Sequence, residues 1–149
     1  MSAIAPYYNN AELAMASYAN LVSGVPDTQA LEDEDIGMSS RQAKAFSENW
    51  RVIDQQQNTD SGFSATVFER IDESGNQTGE YTIAIRGSES LSDDWKDWLD
   101  ANESITLGEG IAIKQAIDLF NYLQRLTAVG DEIIQYEYHE EEVIPGEFE

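Results

Sequence analysis

The alternation of apolar and polar residues predicts a helix near the amino terminus. Over residues 10–21, apolar side chains interleave with residues of good helix propensity, and Asn9 or Asn10 is placed to cap the start. Residues 24–27 read Gly-Val-Pro-Asp, a combination that ends a helix and favours a turn. We therefore expect the first helix to end before this turn.

Four consecutive carboxylates at residues 32–35 precede a second predicted helix. This acidic run is most simply a solvated loop or short helix, because it lacks the spaced ligands of a known calcium loop. Ser39 or Ser40 is expected to cap the second helix, which continues through Phe46 to Trp50.

The middle of the chain changes to a strand-like pattern. Residues 63–71 and 81–85 are rich in β-branched and aromatic side chains, which predicts two strands. Residues 72–79 between them are rich in turn-forming residues, and their glycine and carboxylates do not have the spacing of an EF-hand. The two strands are therefore expected to form a β-hairpin.

A further helix is predicted over residues 110–126, followed by a strand over residues 132–138. Helices, a hairpin and then a helix with a strand indicate an α/β or α+β arrangement, with residues 1–149 forming a single domain. One face of the helix carries apolar residues at helical spacing and is expected to be core, namely Ile113, Ala116, Ile117, Phe120, Leu123 and Leu126.

The charge of the chain is strongly negative. Eight Lys and Arg residues stand against 29 Asp and Glu residues, for a net charge of −21. Such a field repels phosphate backbones and anionic membranes, which argues against nucleic-acid binding. The commonest reason for such acidity is a solvated surface, while a cationic partner, nucleic-acid mimicry, calcium binding or a saline habitat stay open.

The chain contains no cysteine and a single histidine, His139. This excludes disulfides, thiolate catalysis, cysteine-based zinc sites and histidine-rich metal sites, whereas calcium bound by carboxylates stays possible without an assignable site. The amino terminus lacks the basic and long apolar regions of a signal peptide, and no segment is long enough to span a bilayer. We expect a soluble protein, cytoplasmic or exported without an amino-terminal signal.

An apolar strand runs directly into Arg-Gly-Ser at residues 86–88, and Asp-Trp pairs follow at residues 94–95 and 97–98. This combination resembles the class 3 lipase family of α/β hydrolases, in which a hydrophobic strand ends in Arg-Gly-Ser or Arg-Gly-Thr ahead of Asp and Trp residues. The resemblance implies an α/β fold of incomplete α/β-hydrolase type, with amino-terminal helices, a β-hairpin, a lid-like helix and a helix-strand unit. It also implies that Ser88 is the oxyanion-hole residue.

The residues after Ser88 form a short amphipathic pattern. The position of the segment resembles that of the lid in class 3 lipases, which implies that this helix covers an acyl pocket and opens at a lipid interface. The alternative is a surface helix that packs permanently on the core. Residues 115–126 are also similar to the helix that precedes the nucleophile-bearing strand in bacterial lipase-like proteins. The apolar lid residues are Leu91, Trp95, Trp98 and Leu99.

The chain lacks the Gly-x-Ser-x-Gly elbow that holds the nucleophile of this fold. Residues 62–66 begin like an elbow but end in Thr, and they lie at a predicted strand. In the family the catalytic histidine follows the nucleophile, so His139 cannot take that role.

Two interpretations follow from these residues. In the first, the chain is the truncated amino-terminal part of a serine hydrolase that acts on carboxylic esters of lipids without a cofactor, and it is inactive alone because its catalytic carboxyl-terminal part is missing. In the second, the chain is an acidic binding or inhibitor module for a basic protein partner. The chemical identity of the ester and the oligomeric state stay open.

Overall fold

The computed structural model describes residues 4–86, 111–128 and 135–137. The chain divides into two compact units, Met1–Ser90 and Leu91–Glu149. The described part of the second unit holds helix α4 (Ile111–Thr127) and residues 135–137, which are neither helix nor strand. The elements of the first unit are helices α1 (Ala5–Ala16), α2 (Thr28–Leu31) and α3 (Ser40–Asn49) and strands β1 (Trp50–Gln56), β2 (Ala65–Ile71) and β3 (Gln77–Ile85).

Helices and strands thus occur together, which confirms a mixed α/β structure. The more specific prediction of an α/β-hydrolase fold stays a prediction, as does the prediction of a single domain.

Helix α1 begins earlier than its sequence pattern predicted. Its first turn contains Pro6, whose fixed φ and missing N–H suit the start of a helix, and Ile4 occupies the N-cap position. The prediction that Asn9 or Asn10 caps this helix was therefore wrong, since both lie inside it. The helix also ends before residue 21, with Ser17 at its C-cap, where the Ser17 hydroxyl donates a 2.7 Å hydrogen bond to the Ala14 carbonyl.

Helix α3 starts as its sequence predicted. Ser39 is the N-cap, and its hydroxyl and backbone N–H form a capping box with Gln42. The end of the helix differs from the prediction, because Trp50 has extended backbone angles of φ −133° and ψ 142°. Trp50 instead begins strand β1, which the sequence pattern did not predict.

The sheet is antiparallel and has the order β1-β2-β3. Strands β2 and β3 form the predicted hairpin, although β3 begins at Gln77 and shortens the connecting turn to residues 72–76. The register shifts between Val52 and Asp54, where two residues of β1 oppose one of β2 as in a β-bulge, and the pairing of β2 with β3 is irregular between Glu69 and Ile71.

The core of the first unit lies between the helices and one face of the sheet. Phe46 of α3 meets Phe68 of β2 edge-to-face at 5.5 Å between ring centroids and stacks with Trp50 at 6.4 Å. Val52 and Leu31 are fully buried in the same cluster. The amphipathic pattern of α3 therefore folds this helix onto the sheet through its aromatic residue.

Helix α4 has a different environment from the one its pattern predicted. Ile113 is 49% exposed and Phe120 is 51% exposed, so the prediction that this apolar face is core was wrong. Among residues 113–127, the buried side chains are those of Asn121 and Tyr122.

The side-chain amide of Asn121 forms two hydrogen bonds with the backbone of Tyr136, in the pattern of a neighbouring β-strand. Its Nδ2 donates to the Tyr136 carbonyl at 2.7 Å, and the Tyr136 N–H donates to its Oδ1 at 2.9 Å. A strand was predicted over residues 132–138, but residues 135–137 are not in a strand, and the other four residues of that prediction lie outside the described ranges.

Candidate site at the end of strand β3

In the first unit, the structure describes the chain as far as Arg86, the first residue of the Arg-Gly-Ser motif. Arg86 directly follows β3, and its backbone N–H donates to the Ser64 carbonyl at 2.9 Å. This bond continues the β2–β3 pairing one residue past the end of the strand. Ser88 lies outside the described residues, as do the predicted lid residues Leu91, Trp95, Trp98 and Leu99.

The side chain of Arg86 contacts the ring of Tyr18, which lies near the amino-terminal end of the first unit. Its guanidinium carbon lies 5.2 Å from the centroid of the Tyr18 ring. A cation over a partly exposed ring contributes about 0.5–1 kcal/mol. Together with the backbone bond to Ser64, this contact fixes the position of the residue that enters the motif.

Gln55 holds the segment that carries Tyr18 against the sheet. Its Nε2 donates to the Ala19 carbonyl at 2.9 Å and to the Thr66 hydroxyl at 2.8 Å, while its Oε1 accepts from the Leu21 N–H at 2.9 Å. Ala19, Leu21 and Thr66 are all buried. The Gln55 side chain therefore links the residues after α1 to strands β1 and β2. It holds in place the segment whose Tyr18 ring contacts Arg86.

Ser64 belongs to the segment that begins like a nucleophile elbow. Its side chain is only 2% exposed, and its hydroxyl donates to the Gln56 carbonyl at 2.9 Å. Ser64 also lies just before the second strand of an antiparallel sheet, whereas an elbow joins a strand to a helix. Its hydroxyl therefore joins β1 to the start of β2 and is not presented to a substrate.

Asp72 uses its carboxylate within the hairpin turn. It accepts hydrogen bonds from the backbone N–H groups of Ser74 and Asn76, each at 2.8 Å. Bonding to Asn76 above all holds the pKa of Asp72 below its ordinary value. These bonds form an Asx-type turn, as expected for a hairpin loop.

The acidic run before α3 also forms local bonds. Asp33 accepts from the Asp35 N–H at 3.1 Å, and Glu32 accepts from the Ser40 hydroxyl. Among the residues that the structure describes, no group of three or more His, Cys, Asp or Glu side chains is arranged to hold a metal ion.

A shallow apolar groove lies beside α4 in the second unit. Its volume is about 650 Å³, and Glu137 supplies a carboxylate to its described lining. Its described lining residues include no nucleophile with an adjacent base. The remaining lining residues are Ile113, Ala116, Ile117, Phe120 and Tyr136.

Tyr18, Gln55 and Ser64 were not predicted to support the motif. Tyr18 lies in the turn after α1. Gln55 lies in β1, a strand that was not predicted because its sequence is largely polar. Gln55 lies between two polar residues of β1, and only the sheet register shows that this strand pairs with β2. The sequence alone therefore gave no signal for Gln55.

Compared with known proteins, the chain matches no protein-family model, no curated protein and no solved structure. The resemblance to lipases therefore depends on the motif residues themselves. Within the described ranges, no helix has both the length and the apolar character needed to cross a membrane.

Proposed function

We propose that this chain carries the oxyanion-stabilising part of a lipase-type serine hydrolase that acts on carboxylic esters of lipids. The observation that carries the proposal is the end of β3, where an apolar strand enters Arg-Gly-Ser and Arg86 is held by both Ser64 and Tyr18. Ser88 follows two residues later in the sequence.

The proposed role of Ser88 requires a rigid support. During acyl transfer, negative charge develops on the carbonyl oxygen of the ester, and a backbone N–H placed beforehand stabilises it by about 3 kcal/mol. A donor on a mobile chain would lose part of this gain, because it would have to be ordered during the reaction. The contacts of Arg86 with β2 and with the Tyr18 ring supply the required anchor two residues away.

The catalytic serine, acid and base of this reaction would come from sequence that this chain does not contain. The chain has no Gly-x-Ser-x-Gly motif, and the hydroxyl of Ser64 is buried and bonded to Gln56. His139 precedes the position where an elbow would follow in the family order. We therefore propose that the chain does not hydrolyse esters alone.

In the same proposal, residues 91–99 form a lid over the acyl-binding pocket. The apolar side chains of this segment repeat at helical spacing, as a helix that covers a hydrophobic pocket requires. Its polar positions are mostly acidic, which favours neutral esters over anionic membrane surfaces. No metal or organic cofactor takes part in this chemistry.

The test is hydrolysis of p-nitrophenyl butyrate by the purified chain and by a version extended with the sequence that its gene encodes after Glu149. We expect no turnover from the 149-residue chain and turnover from the extended chain, because the proposal places the nucleophile in the added sequence. Far-UV circular dichroism establishes that both proteins are folded. A folded extended chain without esterase activity would contradict the proposal.

A second candidate function is suggested by the surface charge. Glu32, Asp33, Glu34 and Asp35 are all exposed, in a chain with a net charge of −21. Such a surface suits a binding module for a basic protein. Salt-sensitive binding to a basic protein, abolished when residues 32–35 are changed to Asn and Gln, would favour this module if the extended chain is inactive.

A further inference from the structure

We propose that the first unit reaches its full stability only at high ionic strength, because its surface carboxylates repel one another unless salt screens them. The proposal concerns the folding of the chain and does not depend on the proposed hydrolase function. Its basis is a net charge of −21, from 29 Asp and Glu residues against eight Lys and Arg residues. A net charge far from zero destabilises a compact state through self-repulsion.

Carboxylates predominate in the first unit as they do in the whole chain. The described residues 4–86 contain more than twice as many Asp and Glu residues as Lys and Arg residues. Most of these carboxylates are exposed, and they are spread over the connection between α2 and α3, the hairpin turn and the strands. Their repulsion is therefore a property of the whole unit and not of one acidic run.

The cations of the same residues offset little of this repulsion where their contacts are known. Lys44 and Glu48 form an ion pair at 3.9 Å, but their side chains are 77% and 66% exposed, and a pair in such a position contributes little to stability. The guanidinium carbon of Arg70 lies 5.5 Å from the centroid of the Trp50 ring, which is an aromatic contact. At neutral pH, the remaining repulsion falls as dissolved ions screen it.

Dissolved ions act here through the ionic atmosphere and not at a binding site. Exposed charges interact over about 30 Å at 0.01 M salt and over only about 3 Å at 1 M salt. Unfolding spreads the same charges further apart, so screening stabilises the folded unit more than the unfolded chain. The free energy of unfolding should therefore rise with salt concentration.

Urea unfolding of the 149-residue chain, followed by circular dichroism at 0.01 M and 1 M NaCl, tests this proposal. We expect the urea midpoint to be higher at 1 M NaCl by about 0.5 M urea or more. A triple variant with Glu34→Gln, Glu73→Gln and Glu80→Gln removes three exposed charges from separate parts of the unit. Its midpoint should exceed that of the unsubstituted chain at 0.01 M NaCl, and the difference should disappear at 1 M NaCl.

The matched control replaces the same three residues with Asp, which keeps their charges. This control should not raise the urea midpoint at either salt concentration. A midpoint of the unsubstituted chain that does not rise with salt would overturn the proposal. So would a Gln variant that is no more stable than the Asp variant at 0.01 M NaCl, or one whose advantage persists undiminished at 1 M NaCl.

Discussion

Individual polar side chains fix the connections of the first unit. Gln55 is the clearest case, because its amide satisfies a carbonyl, a hydroxyl and a backbone N–H that are contributed by Ala19, Thr66 and Leu21. An apolar side chain of similar size would leave these three buried groups without a partner. Such groups are costly because burial removes the water that would otherwise bind them.

Replacing Gln55 with Leu is expected to destabilise the chain by about 2–3 kcal/mol, measured as the free energy of unfolding in urea. Gln57→Leu is the matched control. Gln57 also donates to Gln55 Oε1, but its side chain is exposed, so its substitution should cost less than about 1 kcal/mol. Equal losses in the two variants would show that the buried bonds of Gln55 do not stabilise the fold.

The elements follow their sequence patterns most closely where burial and propensity agree. Strands β2 and β3 were predicted because β-branched and aromatic residues dominate both. Strand β1 was not predicted, since four of the seven residues in Trp-Arg-Val-Ile-Asp-Gln-Gln are polar and its extended backbone is stabilised by pairing with β2. Contacts between distant parts of the sequence therefore override local propensity in this strand.

The candidate site could be predicted only in part for a similar physical reason. The motif after β3 is visible in the sequence because an apolar strand meets a polar turn without a linker. The contact between Arg86 and Tyr18 depends on how α1 and the sheet pack, which no local pattern encodes. The length of α1 was also mispredicted, because Pro6 was not recognised as the start of the helix.

The turn of the β-hairpin should depend on the ionisation of Asp72. Hydrogen bonds from Asn76 and Ser74 hold the pKa of Asp72 below its ordinary value of 3.8. A carboxyl whose pKa is lowered by folding stabilises the fold above its unfolded pKa, and this contribution is lost as the pH falls through its folded pKa.

We therefore expect Asp72→Asn to lower the urea midpoint at neutral pH, with the difference from the unsubstituted chain disappearing in acid. The Asn side chain keeps an acceptor for the turn but carries no charge. Urea unfolding of both proteins across this pH range measures the difference, in which the titration of the other carboxylates largely cancels. A difference that persists at the lowest pH would contradict the assignment to the Asp72 charge.

At the scale of the whole molecule, net charge restricts the partners more than the fold does. The value of −21 opposes contacts with anionic membranes and nucleic acids. A neutral ester and a basic protein are both compatible with it.

The most direct test of the hydrolase proposal is the turnover number of the extended chain carrying Ser88→Pro. This substitution removes the backbone N–H proposed to bind the oxyanion, whereas Ser88→Ala keeps it and Ser90→Ala is the control. We expect kcat for p-nitrophenyl butyrate to fall about 100-fold or more in Ser88→Pro, less in Ser88→Ala and not in Ser90→Ala. A folded Ser88→Pro variant with unchanged kcat would contradict the assignment of Ser88 to the oxyanion hole.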